Sequence, residues 1–198
     1  MTRRTTAVDP KQGSLLFGQP TSATEAEPVL ATEEARAEPV LATEEAVFGD
    51  GSVTVVHTDG ACRGNPGPGG WAWAVDDGRF GSGSDPRTTN QRMEVLAVIE
   101  ALRSLPGPVH VISDSTYVVN CFRQKWWVGW RRRGWRNSQG KPVANRDLWE
   151  ALLALALDGG RPVTFSWVKG HSGDRMNDLV DRLATEAAER QTGDSSLP

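Results

Sequence analysis

VTVVHTDGACRGNPGPGGWAWAVDDGRF, residues 53–80, is the stretch from which the fold can be read. Val53 to Thr58 is β-branched and alternating, which predicts a strand ending at Asp59-Gly60. A glycine-rich turn follows, and Trp71 to Val75 predicts a second strand. Asp77-Gly78 is a strong hairpin signal leading into a short strand centred on Phe80. Three strands in succession make an antiparallel opening. Further along, Thr89 to Leu105 carries Met93, Leu96, Ala97, Leu102 and Leu105 at helical spacing and stops before Pro106-Gly107-Pro108. Val109 to Ile112 predicts a strand running into Ser113-Asp114. Helices are expected over Ser115 to Gln124, Asp147 to Leu157 and Met176 to Gln191, with a strand over Val163 to Val168. Consecutive strands followed by alternating units predict an α/β domain over residues 52–192, a mixed sheet with helices on its faces. Residues 193–198 are expected to be a flexible C-terminus.

Before this domain the texture differs. Residues 1–51 are poor in aromatics, and EPVLATEEA occurs at 27–35 and again at 38–46. Two copies of an 11-residue period build no solenoid, so a disordered acidic tail with a duplicated segment is expected. Arg3 and Arg4 precede Asp9, Pro10, Lys11 and Gln12, and Leu15-Leu16-Phe17 is the apolar cluster there, so no secretory h-region is apparent. No window of 18 apolar residues exists to span a bilayer. A cytoplasmic, monomeric protein is expected. Cys62 and Cys121 show no zinc-type spacing, and a reduced state fits them.

The net charge of −3 hides an uneven distribution. The tail is acidic, leaving 18 basic and 16 acidic side chains over residues 53–198. Arg123, Lys125, Arg131, Arg132, Arg133, Arg136, Lys141 and Arg146 lie in one run without an acidic residue, and Trp126, Trp127, Trp130 and Trp135 are interleaved with them. Such a run suits a phosphate-facing surface, although a solvated face has the same composition.

Asp59 and Asp114 each come at the end of an apolar strand, so adjacent strands would bring both carboxylates to one sheet edge, and packing could add Glu94. Any one of these acids taken alone is as readily a helix cap or a surface group. Together they would repel unless a divalent cation neutralised them, and Mg²⁺ is the natural partner of hard oxygen ligands and phosphate. Asp174, Asp178 and Asp181 near the last helix cannot be separated on this reasoning.

The segments Thr58 to Cys62, Asn65 to Trp71, Thr88 to Glu94, Ser113-Asp114-Ser115 and Val168 to Gly173 closely resemble the type 1 ribonuclease H family, bacterial type with a basic protrusion. The resemblance covers about Val53 to Gln191. It implies the ribonuclease H-like fold, a five-stranded mixed sheet flanked by helices, and hydrolysis of the RNA strand of RNA–DNA hybrids by two Mg²⁺ ions, with Mn²⁺ as a possible substitute. It implies Asp59, Glu94, Asp114 and Asp181 as metal ligands, the last by its interval from His171, and His171 as a catalytic residue on a loop. It implies substrate contacts from Cys62, Asn65, Thr89, Asn90 and Gln91 toward 2′-hydroxyls, and from Trp130, Arg131, Arg132, Arg133 and Trp135 toward the DNA strand. The likeness fails at Asp76, where many relatives have a basic residue, and at Thr116, where Gln is common. Both bear on the phosphate pocket. A junction resolvase or transposase would share clustered acids but not the basic protrusion, and a non-enzymatic hybrid binder would be expected to lose one of Asp59, Glu94 or Asp114. Gln12 to Phe17 resembles the short peptides that bind bacterial sliding clamps.

Overall fold

A computed structural model describes residues 52–171 and 173–196. The duplicated tail and the Gln12 to Phe17 segment lie outside the described residues. The strands are β1 (Thr54–Cys62), β2 (Gly67–Val75), β3 (Phe80–Thr88), β4 (Val109–Ser113) and β5 (Val163–Trp167). The helices are α1 (Asn90–Ser104), α2 (Thr116–Arg123), α3 (Trp126–Arg132), α4 (Arg146–Leu157) and α5 (Arg175–Arg190). They form the five-stranded mixed sheet expected of a ribonuclease H-like fold, in the order β3-β2-β1-β4-β5. The β1–β2 and β2–β3 pairs are antiparallel, while β4 runs parallel to both β1 and β5.

The WAWAV alternation of β2 shows why helices cover both faces. Trp71, Trp73 and Val75 enter the larger core with Val95, Val98 and Leu102 of α1 and Trp149 and Leu152 of α4. Ala72 and Ala74 face the other way, against Met176, Val180 and Ala184 of α5. Small residues on that face let a helix approach closely, and Gly70 takes this furthest: a Cβ there would lie 2.3 Å from the Ala184 carbonyl oxygen. Packing at this density leaves no room for an added methyl group.

Several boundaries differ from the sequence-based expectation. β1 does not stop at Asp59-Gly60, because its antiparallel pairing with β2 continues to Cys62 opposite Gly69, so Asp59 lies inside a strand. β2 therefore begins at Gly67 rather than Trp71. The Phe80 strand is nine residues long and tolerates Pro86 because β3 is outermost in the sheet. Thr89 is the N-cap of α1 rather than its first residue, accepting the Arg92 N–H. Where a flexible end was expected, residues 193–196 follow β3: Ser82 N–H donates to the Asp194 carbonyl at 2.8 Å and Ser196 N–H to that of Phe80 at 3.1 Å. Both cysteines are free thiols. Among the described residues no helix is long and apolar enough to cross a membrane.

Candidate active site

The parallel β1–β4 register pairs Thr58 with Ser113, which places Asp59 and Asp114 at equivalent levels on adjacent strands. Glu94 joins them through a glycine. A Cβ on Gly60 would lie 2.2 Å from the Glu94 backbone nitrogen, so glycine at this position is what lets the start of α1 touch β1. The sequence pattern suggested that these three acids could meet, and the structure brings them together.

The surroundings of each acid follow from this packing. Asp59 is 9% exposed and accepts the Gly60 N–H at 2.7 Å. Burial pushes its carboxyl up to about 8, and the negative charges of Asp114, Asp181 and Glu94 push in the same direction against that hydrogen bond. Glu94 is also raised, chiefly by burial, although the Ser115 hydroxyl donates to it at 2.6 Å and the Asn90 amide at 2.9 Å. The Asp114 carboxylate accepts from the Asn177 amide at 3.4 Å. Gly170 lies against the same carboxylate, where a Cβ would sit 2.6 Å from Oδ2.

The three acids near α5 now separate. Asp174 is its N-cap, accepting the Met176 and Asn177 N–H groups. Asp178 is exposed in the first turn. Asp181 is the one whose charge reaches Asp59, and its Oδ2 lies 4.0 Å from Nδ1 of His171. His171 is highly exposed and takes a left-handed φ of 51° between Gly170 and residue 172.

This all-oxygen set suits a hard divalent cation, because the Asp59 carboxyl, raised to about 8 by burial and further by Asp114, Asp181 and Glu94, stands among like charges. Among the described residues, no three His, Cys, Asp or Glu side chains are close enough as they stand to hold one ion. They are nonetheless near enough for the charges of Asp114, Asp181 and Glu94 to reach Asp59.

The substrate-contact residues expected from the sequence fall into three groups. Cys62, Thr89 and Asn90 are half-buried, and of these Asn90 meets a site acid, donating to Glu94 at 2.9 Å, while Asn65 and Gln91 are exposed. Arg131, Arg132 and Arg133 are exposed, with the Arg131 guanidinium 5.3 Å from the Trp127 ring centroid. Trp130 is a correction: it is 6% exposed and meets Trp149 edge-on at 5.4 Å, so its ring is core and not a contact surface. Trp135 is half-buried against the same core, with Arg146 over its ring at 5.3 Å. Thr116 is exposed, and Asp76 pairs with Arg175 at 3.0 Å between two exposed side chains. Ser115 and Asn177 were not singled out for a role by the sequence, although Ser115 stood inside a quoted motif. A short polar residue after Asp114 is as readily a helix cap, and Ser115 is also that, accepting the Val118 N–H.

The RNase H family model matches residues 50–189. The chain belongs to the ribonuclease H family. It is 51% identical over 142 residues to the ribonuclease H of Thermus thermophilus, covering 68% of this chain and 82% of that one. The ribonuclease H of Syntrophomonas wolfei is 48% identical over 139 residues, covering 67% of this chain and 94% of that relative. Among solved structures, LC9-RNase H1, described as a type 1 RNase H with the type 2 active-site motif, superposes with a TM-score of 0.60 at 33% identity, covering 73% of this chain and 74% of that one. The N-terminal RNase H domain of a Mycobacterium tuberculosis protein gives 0.55 at 25%, covering 70% of this chain and 95% of that one. The chain is thus a nuclease of the hydrolase class, and its family is metal-dependent.

Proposed function

We propose that this ribonuclease H hydrolyses the RNA strand of RNA–DNA hybrids at a two-Mg²⁺ site held by Asp59, Glu94, Asp114 and Asp181, with Mn²⁺ as a possible substitute. The observation that carries the reading is the Asp59 carboxyl, raised to about 8 by burial and by the other three acids. Bound divalent cations supply charge neutralisation and Lewis-acid activation at the phosphate. The chain's own residues do the rest. Ser115 and Asn90 hold the Glu94 carboxylate from two sides, and Asn177 and Gly170 set the place of Asp114. His171, exposed on its loop beside Asp181, carries a proton between solvent and the reacting phosphate. Water adds at phosphorus, the bond to the 3′ oxygen breaks, and the products end in 5′-phosphate and 3′-hydroxyl groups.

Choice of the RNA strand is assigned to Cys62, Asn65, Thr89, Asn90 and Gln91, which lie at the end of β1, on the turn that follows it and at the start of α1. The 2′-hydroxyl is the group by which a protein tells RNA from DNA. Arg131, Arg132 and Arg133, with Trp135 nearby in the same run, grip the DNA strand through phosphate and sugar, so cleavage is nearly independent of sequence. Removal of primers and R-loops by a cytoplasmic monomer follows as the cellular role. Gln12 to Phe17 would tether the enzyme to the sliding clamp through the duplicated segment as a spacer. The deciding experiment is Mg²⁺-dependent cleavage of a labelled hybrid, with RNA duplex and DNA duplex as controls that should stay intact.

A further inference from the structure

Eight tryptophans occur in the chain, and of these Trp167 is the one that is exposed, at 46%. It ends β5, which lies at the edge of the sheet. Successive alternate residues share a strand face, so Trp167 continues the face of Val163 and Phe165. Those two are used in packing: both lie against the larger core, and Phe165 stacks on Phe122 with ring centroids 3.9 Å apart. Trp167 projects beyond that core.

The ring is nevertheless anchored. Its Nε1–H, the one donor an indole has, points to the main-chain oxygen of Asp114 at 3.0 Å. The next residue ties the strand end down, with the Val168 N–H donating to the Ser113 carbonyl at 3.1 Å. An indole whose polar atom is already committed to the backbone of Asp114 offers its exposed apolar surface at a fixed place next to that residue. The position of the ring, tied to the Asp114 backbone rather than merely exposed, is what makes it a candidate contact.

We propose that Trp167 packs against the ribose of an RNA nucleotide adjoining the cleaved phosphate. This rests on the reading that the RNA strand of a hybrid lies over Asp59, Glu94 and Asp114. In a duplex the base faces are covered by their neighbours, so the sugar is what a ring at this edge meets, and the contact is apolar rather than ionic. The basic protrusion and this ring then hold the substrate by different physics, one sensitive to salt and one not.

Trp167→Gln removes the ring while keeping an amide N–H for the Asp114 carbonyl, and Trp167→Phe keeps a ring without that N–H. Both are made on an Asp59→Asn parent so that binding can be measured without cleavage, with hybrid affinity read by fluorescence anisotropy across a salt series. Covering ~60 Å² of indole at ~25 cal/mol per Å² corresponds to about tenfold in affinity. Trp167→Gln is expected to lose that factor with an unchanged salt slope, Trp167→Phe to stay within about threefold of the parent, and DNA duplex binding to be unaffected. Unchanged hybrid affinity in Trp167→Gln overturns the proposal. So does the reverse order, with Trp167→Phe weak and Trp167→Gln normal, since the indole would then serve only to hold Asp114. An equal loss on DNA duplex removes the RNA strand as its partner. A parent that binds no hybrid at all would instead overturn the nuclease reading, and this contact with it.

Discussion

Asp59→Asn should abolish hydrolysis and, in metal-free buffer at pH 8, make the protein more stable. The Asp59 carboxyl is raised from an ordinary value of 3.8 to about 8 by burial and by Asp114, Asp181 and Glu94. A group raised in this way keeps its proton in the folded chain after the unfolded chain has released it, so the unfolded state binds fewer protons between about pH 4 and pH 8. Stability must therefore fall as pH rises through that window, and no cost remains below it. The full displacement is worth ~5–6 kcal/mol. With relaxation of the site and partial entry of water, relief of ~2–3 kcal/mol is expected at pH 8, shrinking toward zero at pH 4. Asparagine retains an oxygen for the Gly60 N–H, so the backbone contact survives. The assay is urea denaturation with EDTA from pH 4 to 8, repeated with Mg²⁺. Mg²⁺ should stabilise the wild type by mass action and the variant much less. A variant that is less stable than wild type in EDTA at pH 8, or equal Mg²⁺ stabilisation of both, would refute the reasoning.

Replacing Arg131, Arg132 and Arg133 with Ala should weaken hybrid binding and flatten its salt dependence by up to ~0.9 log–log units per lost phosphate contact, whereas an unchanged slope in anisotropy titrations would reduce them to a solvated face. His171→Ala should lower turnover in a steady-state cleavage assay yet leave measurable activity, because water can partly replace a proton shuttle while the four acids remain; loss as complete as in Asp59→Asn would assign it a different role. A peptide of residues 8–20 should bind the sliding clamp of the same organism by calorimetry, and the Leu16→Ala/Phe17→Ala peptide should not; equal behaviour of the two removes the tether.

What could be read in the sequence was what periodicity and turn chemistry encode. The strand–hairpin–strand opening and the Met93 to Leu105 helix were legible because alternation and 3.6-residue spacing are local properties. The strand limit at Asp59-Gly60 was not, because glycine reads as a turn whereas here it is a point of contact between β1 and α1. Asp181 could not be chosen over Asp174 and Asp178 from helix pattern, since the choice depends on which turn of α5 crosses β1. Trp130 and Trp135 show the same limit from the other side: a basic, aromatic run reads as a contact surface, yet both rings pack against the core, Trp130 buried edge-on to Trp149 and Trp135 half-buried beside it.

The four acids come from β1, α1, the end of β4 and α5, and each arrives by a contact that has nothing to do with metal chemistry. The β1–β4 register, the missing Cβ of Gly60, and the Ala72 and Ala74 face under α5 are all packing decisions. Their result is an electrostatically costly cluster, with Asp59 and Glu94 both displaced upward by burial. Were the acids free to separate, repulsion would move them apart toward solvent and relieve that displacement. Glu94 and Asp181 are kept in place by close-packed contacts of their helices, α1 against Gly60 and α5 against Gly70, while sheet pairing holds Asp59. The scaffold therefore holds the acids in place before any cation arrives. On the proposed two-metal reading, a cation would have to draw these acids closer together than they stand, and its binding would relieve charge that folding has already concentrated.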